Sequence, residues 1–337
     1  MNILLTGGAG FIGSHLADAY LREGHVVVIL DDFSFGREAN VPAGAIVEHL
    51  DIRDPARPQV FEKHRIDFVN HHAARADVRD AVKHPELYLD VNVRGGLNLL
   101  ECARHANVRG FVFASSGGCS YGEPDYVPTD EEHPLNPHDP YGASKVAFEL
   151  YLQTWSNLYQ VPYTIFRYPN VYGPRQDPFG EAAVIAIFAG RMLQHLEVTV
   201  FGDGDQVRDF VFVDDIVQAN LMATEKSANR AYNLGHAAGV SVNDIYGSLA
   251  AIIGYKQSPI YAPARRGEIR RSVLLSECIR DDWGWRPKTL LEEGLRRTVE
   301  HVRTHEIAAS SADSSNSSHL RTRFGSGPKF PRVIGTR

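Results

Sequence analysis

The chain has 337 residues, 43% of them hydrophobic and 23% charged, a globular balance with room for one large α/β unit and a smaller lobe. A formal net charge of -6 gives no global positive field to hold nucleic acid or an anionic membrane, although a local basic pocket for a phosphate remains compatible with it. Cys102, Cys119 and Cys278 are too dispersed for a metal-ligand pattern or a disulfide framework, which suits a reducing, cytoplasmic setting, and neither a basic leader nor an apolar run of ~18 residues points to export or a membrane span.

Ile3–Leu5 reads as a buried strand, followed by Gly7, Gly10 and Gly13 and by an amphipathic helix over Phe11–Leu21. Gly7 suits a tight turn, Gly10 a close backbone approach to a pyrophosphate, and Gly13 close packing of helix on strand. The new helix, opening at Phe11 and Ile12, points free N–H groups at that phosphate. Glycines that merely shape a turn would look the same, so context decides. A second strand, Val26–Leu30, ends at Asp31 and Asp32. Asp31 stands where a carboxylate accepts from the adenosine ribose hydroxyls and repels a 2′-phosphate, which favours NAD over NADP. Asp32 is a second cofactor candidate or a helix cap.

Ile46–His49 reads as a third strand, leading to Asp51 and Ile52, which either flank the adenine or, for Asp51, cap the next short helix. Asp67–Asn70 is a fourth, running into His71, His72, Ala73 and Ala74, small enough at its end to form a wall against a dinucleotide. Adjacent histidines in a strand point to opposite faces, and nothing completes a metal site around them. Leu87–Cys102 has helical periodicity and contains Asn92, a polar residue suited to bracing the neighbouring loops. Gly110–Ala114 is a further strand. Short apolar strands separated by helices imply a Rossmann-type α/β fold, a parallel sheet with helices on both faces.

Tyr141-Gly142-Ala143-Ser144-Lys145 opens a helix that runs to about Tyr159. Residues i and i+4 share a helical face, so the Lys145 ammonium is expected near the Tyr141 phenol. A cation there, together with the positive charge of an oxidised nicotinamide, favours phenolate over phenol. Tyr141 then removes a proton from a sugar hydroxyl as hydride leaves the same carbon. A hydroxyl donor is expected from Ser115 or Ser116, at the end of the preceding strand, unless those serines merely satisfy their own loop.

With these residues in place the chain resembles the extended short-chain dehydrogenase/reductase family and, within it, the UDP-glucose 4-epimerase group. The matching landmarks are GGAGFIGSHL near the start, Asp31, Asp51-Ile52, HHAA at 71–74, NVRGGLNLLE at 92–101, YGASK at 141–145, RYPNVYGPRQDP at 167–178 and RDFVFVDDI at 208–216. The resemblance implies a tightly held NAD that is not consumed, with Tyr141 and Lys145 as catalytic groups. Cofactor contacts are implied at Gly7, Gly10, Phe11, Ile12, Gly13, Asp31, Asp32, Asp51, Ile52, His72, Ala73, Ala74, Asn92, Ser115 and Tyr168. A UDP-sugar would be oxidised at C4, rotate as a 4-keto species and be reduced on its other face. One position departs from the group: the usual relay serine or threonine aligns with Gly117. Another branch places the hydroxyl one residue earlier, so Ser116 takes the relay role here, with Ser115 in reserve, and Ser116 and Gly117 lie against the sugar. Dehydrating and decarboxylating relatives carry acids where this chain has Gly118 and Cys119, which favours plain epimerisation.

Val161–Arg167 is expected as the final core strand. Beyond it the resemblance gives Asn170 and Glu181 contacts to the sugar nucleotide, with Gly180–Leu193 as a helix and Val198–Phe201 as a small strand. It also makes Arg208 and Arg265 clamps on the diphosphate, as guanidinium forks suit phosphate oxygens, and turns Glu268 toward the uridine ribose. Ser272 stands at a wall position where a small residue admits an N-acetyl group. Asp214–Ala223, Val242–Ile253 and Leu290–Val302 read as helices, with Trp283 and Trp285 as packing anchors. The expected organisation is an NAD-binding domain over 1–168, a mixed α/β substrate lobe over 169–302 with some segments returning to the core, and a disordered Ser-rich, basic tail over 303–337. A homodimer is implied through the Leu87–Cys102 and Tyr141–Tyr159 helices. UDP-glucuronate 4-epimerisation, or net oxidoreduction of an activated sugar, are the rival activities.

Overall fold

Runs of Val, Ile, Leu and Phe too short for helices build the centre of the molecule. The structure, a computed structural model, describes residues 1–178, 183–265 and 267–307. Seven strands form one sheet: β1 (Asn2–Thr6), β2 (Val26–Asp31), β3 (Ile46–His49), β4 (Phe68–His71), β5 (Gly110–Ser116), β6 (Tyr163–Tyr168) and, after three strands of the second lobe, β10 (Arg230–Asn233). Their order is β10-β6-β5-β4-β1-β2-β3, and every pairing is parallel. The chain reverses its direction of travel between β1 and β4, and the crevice beyond their carboxyl ends is where such sheets bind ligands.

Both faces are covered. Leu5, Ile29 and Phe166 pack with Leu16, Tyr20 and Trp283 on one side, while Leu4, Val69 and Phe113 pack with Leu100, Phe148 and Leu152 on the other. Trp283 and Trp285 are buried in the first cluster, as packing anchors. The expected long helix is a composite: Pro85–Tyr88, a π-helical segment Leu89–Gly95, and Gly96–Ala106. A Cβ on Gly95 would lie 2.5 Å from Ile52 Cδ1, and one on Gly96 2.5 Å from Phe148. The two glycines therefore let this element sit close to both neighbours, and the π segment carries Asn92.

The Pro140–Tyr159 helix starts where its sequence says it should. Pro140 occupies its first turn, Asp139 accepts from Gly142 N at 2.9 Å, and Gln160 ends it at φ 58°.

The sequence expectation of β6 as the last core strand is corrected by β10. Asn229 N donates to the Tyr163 carbonyl and Asn229 Oδ1 accepts from Tyr163 N, which docks Arg230–Asn233 along the open edge of β6. An uncovered β6 would expose a row of unpaired backbone groups. Arg-Ala-Tyr-Asn is too short and too polar to announce itself as a core strand.

The second lobe holds β7 (Asn170–Tyr172), β8 (Thr199–Phe201), β9 (Val207–Phe212), β11 (Gly239–Ser241), β12 (Ile260–Ala262) and β13 (Arg271–Ser272). β9 pairs with β7, β11 and β13, and β8 pairs with β12. Helices Val184–Leu193, Val242–Ile253 and Leu291–His301 close its core. Within the segment expected as a tail from residue 303, residues up to Ile307 belong to a π-helical turn, Val302–Ile307, that continues the last helix. Val302 is buried and anchors it. The remaining tail, 308–337, lies outside the described residues.

Candidate active site

Two adjoining cavities of about 360 and 340 Å³ open beyond the carboxyl ends of the strands and share Gly7, Gly10, His72 and Ala74. Gly7 has φ +70°, and a Cβ there would sit 2.7 Å from Ala73 N. A Cβ on Gly13 would run into the Gly7 carbonyl. These two glycines let the Phe11–Arg22 helix and the loop after β4 close on the turn, while Gly10 leaves its own backbone facing the cleft.

The first cavity is lined by Asp31, Asp32, Ser34, Phe35, Asp51, Ile52 and Arg75, among others. Asp31 is buried, and its two oxygens accept from Ala9 N and Phe33 N, each at 2.9 Å. Burial raises its carboxyl above the ordinary value, opposed by those two bonds. Asp32 caps Ser34 locally, accepting from its N–H and hydroxyl. Asp51 is gripped by Arg53 at 2.6 Å, and the hydrogen bond from that guanidinium holds its carboxyl low. Ile52 and Ala73 supply apolar walls. This half has the shape and polarity for an adenosine.

The second cavity contains the chemistry. Phe11, Ile12, Gly13, Ser115, Ser116, Tyr141, Lys145, Tyr168 and Asn170 line it. Lys145 Nζ donates to the Ala114 carbonyl at 2.8 Å and lies 4.8 Å from the Phe113 ring and 5.8 Å from the Tyr141 ring. Ser116 lies on the same wall as Tyr141, and its hydroxyl acts to lower the phenol. Ser115 instead donates to Glu149, which leaves Ser116 as the hydroxyl at the phenol. A Cβ at Gly117 would collide with Leu274, and one at Gly142 would come 2.6 Å from the Cys119 carbonyl. The crowding at Leu274 explains a glycine at 117, and the bare Gly142 lets the Gly117–Ser120 turn press against Tyr141.

The electrostatics differ from the simple expectation of a phenolate beside a cation. Burial, followed by the Cys119 thiol, pushes the Tyr141 phenol above its ordinary range, and only the Ser116 hydrogen bond among the leading influences pulls it down. Burial brings Lys145 down to about 7. A desolvated site penalises both charged forms, so the protein alone keeps the phenol protonated.

His71 and His72 face opposite ways, as their alternation requires. His71 Nδ1 is 2.7 Å from Thr6 Oγ1, and its ring packs among Phe111, Phe113 and Phe148. His72 turns into the cleft, with Nε2 3.0 Å from the Tyr168 hydroxyl, and burial lowers it to about 3. Tyr168 also accepts from Asn220 Nδ2 at 2.9 Å. Two buried polar atoms on the cavity wall, His72 Nδ1 and Gln176 Oε1, have no partner among the described residues. An unmatched amide oxygen and ring nitrogen beside a glycine cradle suit a polar ligand that carries hydroxyl or amide donors, so the cleft fits a dinucleotide.

Other expected residues lie away from the two cavities. Asn92 accepts from Arg75 N and donates to the Arg75 carbonyl and to Ser144 Oγ. It braces the loop after β4 against the Pro140–Tyr159 helix. Arg208 pairs with Glu268 at 3.6 Å, and burial lowers its guanidinium. Glu268, expected at a ribose, thus faces an arginine. Arg265 stacks 4.0 Å over the Phe201 ring. Ser272 is buried on β13, in register with Arg208 on β9. Glu181 lies outside the described residues. Asp209 is no partner to Arg208: it accepts from the N–H groups of His236, Ala237 and Leu274, and burial raises it to about 6. Sequence reasoning missed Phe35 and Arg75, which line the cleft from loops without motif, Gln176, which sits inside the 167–178 landmark but was given no role, and Glu149, whose spacing from Lys145 was readable. Among the described residues, no group of three or more His, Cys, Asp and Glu could hold a metal ion, and no helix is long and apolar enough to cross a membrane.

Comparison with known proteins agrees with this geometry. Residues 3–235 match the NAD-dependent epimerase/dehydratase family. The chain is 40% identical over 309 residues to the UDP-glucose 4-epimerase of Mycolicibacterium smegmatis, covering 90% of this chain and 99% of that one. Among solved structures it is similar to the UDP-glucose 4-epimerase of Thermotoga maritima with UDP-glucose, with 45% identity, a TM-score of 0.89 and coverage of 90% and 99% of the two chains. It is also similar to the Thermus thermophilus UDP-glucose 4-epimerase complexed with NAD, with 42% identity, a TM-score of 0.86 and coverage of 90% and 100%.

Proposed function

The chain belongs to the NAD-dependent epimerase/dehydratase family, and from that premise we propose that it is a UDP-glucose 4-epimerase, interconverting UDP-glucose and UDP-galactose. The observation that carries the reading is the meeting of Tyr141, Ser116 and Lys145 on one wall of the cleft, with Gly118 and Cys119 rather than acids in the adjoining loop. Bound NAD supplies a hydride acceptor and then a hydride donor at the sugar C4. The protein holds the reacting hydroxyl; once the positive charge that oxidised NAD would bring, together with Lys145, has favoured loss of the phenol proton, the Tyr141 phenolate takes the hydroxyl proton directly or by way of Ser116 and gives it back when the other face is reduced. Lys145 sits beneath the phenol and supplies positive potential. Gly7, Gly10 and the start of the Phe11–Arg22 helix hold the pyrophosphate, while Asp31 accepts from the adenosine ribose and selects NAD.

The second lobe holds the nucleotide end of the sugar substrate, with Asn170 at the cleft and Arg208 and Arg265 at the diphosphate. Ser272, small and beside Arg208, supports a pocket that also takes UDP-N-acetylhexosamines. Purified protein should convert UDP-galactose to UDP-glucose without added reductant. Conversion of neither UDP-galactose nor its N-acetyl counterpart would overturn the assignment, and turnover of UDP-glucuronate alone would redirect it.

Exposed Val82, Leu89, Leu150 and Leu158 lie on neighbouring helices and support a homodimer formed through that face. The three free cysteines support a cytoplasmic setting.

A further inference from the structure

Tyr141 and Lys145 are followed at the same four-residue interval by Glu149, so all three lie on one face of the Pro140–Tyr159 helix. The chemistry above uses the first two and not the third. Glu149 is 1% exposed, and its partners are specific. Ser115 Oγ donates to Oε1. Arg167 donates to Oε2 from Nη2 at 2.8 Å and from Nε at 3.2 Å. Ser115 and Arg167 are register partners on β5 and β6. Arg167 Nη1 donates onward to the Tyr121 phenol oxygen at 2.8 Å, and that hydroxyl donates to Asn233 Oδ1 on β10 at 2.8 Å. One carboxylate therefore ties the catalytic helix to three strands.

A buried ion pair of this kind is not explained by stability, because well-packed apolar residues of the same volume commonly do as well or better. Its position offers another reason. Lys145 is 4% exposed and donates to one carbonyl, that of Ala114. The groups that face it are Tyr141 and Glu149 on its own helix, His71 and His72 from β4 and its loop, and the Phe113 ring and Ala114 carbonyl from β5. Both histidines are held neutral, chiefly by burial. Among these groups Glu149 is the carboxylate. Around Glu149 itself stand Lys145, Ser115, Arg167 and Tyr163, with Tyr121 beyond Arg167.

Resting on the epimerase reading, we propose that Glu149 is a positioning residue for that reaction, whose carboxylate, fixed by Arg167 and Ser115 one helical turn beyond Lys145, keeps the lysine cationic beneath the Tyr141 phenol. Arg167 has the complementary task. It saturates Oε2 and stops Glu149 from folding onto Lys145 as a direct ion pair, which would draw the ammonium away from the phenol. The opposing influences on Lys145 have the matching sense: burial works to discharge it, and the Glu149 carboxylate works against that.

Glu149→Gln keeps the side-chain shape and an oxygen for Ser115 but removes the charge. The double variant Glu149→Gln with Arg167→Met removes both members of the pair, and so avoids an uncompensated buried arginine should the single variant fold poorly. Two readouts are needed. In the first, kcat and KM for UDP-galactose are measured from pH 5.5 to 9. In the second, the protein carries ε-13C-lysine and the Lys145 resonance, assigned by its loss in Lys145→Met, is titrated directly. The alkaline limb of kcat should move down by about one pH unit, which means about a tenfold loss at pH 8 and less than about a twofold loss at pH 5.5. KM should stay within about twofold, since Glu149 touches no ligand. The Lys145 resonance should move with the limb in both variants, and Glu149→Asp should return part of the shift. A uniform loss across pH, or a Lys145 titration identical in wild type and variants, overturns the proposal. If wild type turns over no UDP-hexose, the functional reading fails, while the resonance titration still decides the electrostatic claim.

Discussion

Replacing Lys145 by Met should raise the melting temperature of this protein while removing its chemistry. Burial holds the ammonium at about 7, against an ordinary 10.5. That gap is worth roughly 5 kcal/mol against the folded state when the lysine is charged. Met fills a similar volume without the charge. Against this gain stand the Ala114 carbonyl left without its 2.8 Å donor, at about 1–3 kcal/mol, and the lost cation over the Phe113 ring, at about 1 kcal/mol. The net expectation is a stabilisation of about 2 kcal/mol, or a rise of about 3 °C for a chain of this size. The sign with pH follows from the lowered value. Below about 7 the lysine is charged in both folded and unfolded chains, and the full cost applies. Between about 7 and 10.5 the unfolded chain still binds the proton and the folded one releases it, so wild-type stability rises with pH and the advantage of Met shrinks. Calorimetric scans at pH 6.5 and 9.5 measure this, with bound dinucleotide removed from both proteins so that lost cofactor binding does not enter the difference. A variant less stable than wild type at pH 6.5, or a difference that does not narrow toward pH 9.5, refutes the reasoning.

Tyr141→Phe should lower kcat for UDP-galactose by about 10²–10⁴-fold with KM little changed, because it deletes the proton acceptor and leaves the cleft intact; steady-state kinetics decide. Gly13→Ala places a methyl group against the Gly7 carbonyl, so the purified variant should retain much less dinucleotide, read from the absorbance released on denaturation. Wild-type occupancy in that variant would contradict the packing described for the glycine turn. Ser272→Tyr should depress kcat/KM for UDP-N-acetylglucosamine by about tenfold more than for UDP-glucose, a difference of about 1.4 kcal/mol at the wall. Equal losses on both sugars would remove Ser272 from specificity.

Periodicity located β1 to β6 and the catalytic helix because each has an apolar signal of its own, bounded by glycine, proline or a cap. The edge strand β10 has no such signal: Arg230 and Asn233 are polar, and the segment is a strand because β6 offers it an open backbone edge. The same division runs through the site. Gly7, Gly13 and Asp31 were legible because a tight turn, a close approach and a strand-end carboxylate each demand a residue type at a set place. The loop pattern put Ser116 ahead of Ser115, and the three-dimensional arrangement adds a reason that no pattern held: Glu149 claims Ser115, while Ser116 lies on the cleft wall with Tyr141. Arg208 and Glu268, each assigned to a ligand from its landmark, also face one another in the second lobe, a pairing between residues 60 apart that no local pattern encodes.

Glu149 falls between these cases. Its spacing from Tyr141 and Lys145 was plain in the sequence, but a glutamate on an amphipathic helix is ordinarily solvated, and only its burial against Arg167 turns that spacing into electrostatics. The helix could not have carried all three residues inward by hydrophobic patterning alone. Phe148 and Leu152 bury the face toward Phe113, and Gly96, lacking a Cβ, lets Phe148 sit directly on the neighbouring helix. That close contact fixes the rotation of the helix about its axis, and with it the direction of the 141, 145 and 149 side chains. An alanine at Gly96 would press on the Phe148 ring at 2.5 Å and, by turning the helix, should impair the phenol, the ammonium and the carboxylate together rather than any one of them.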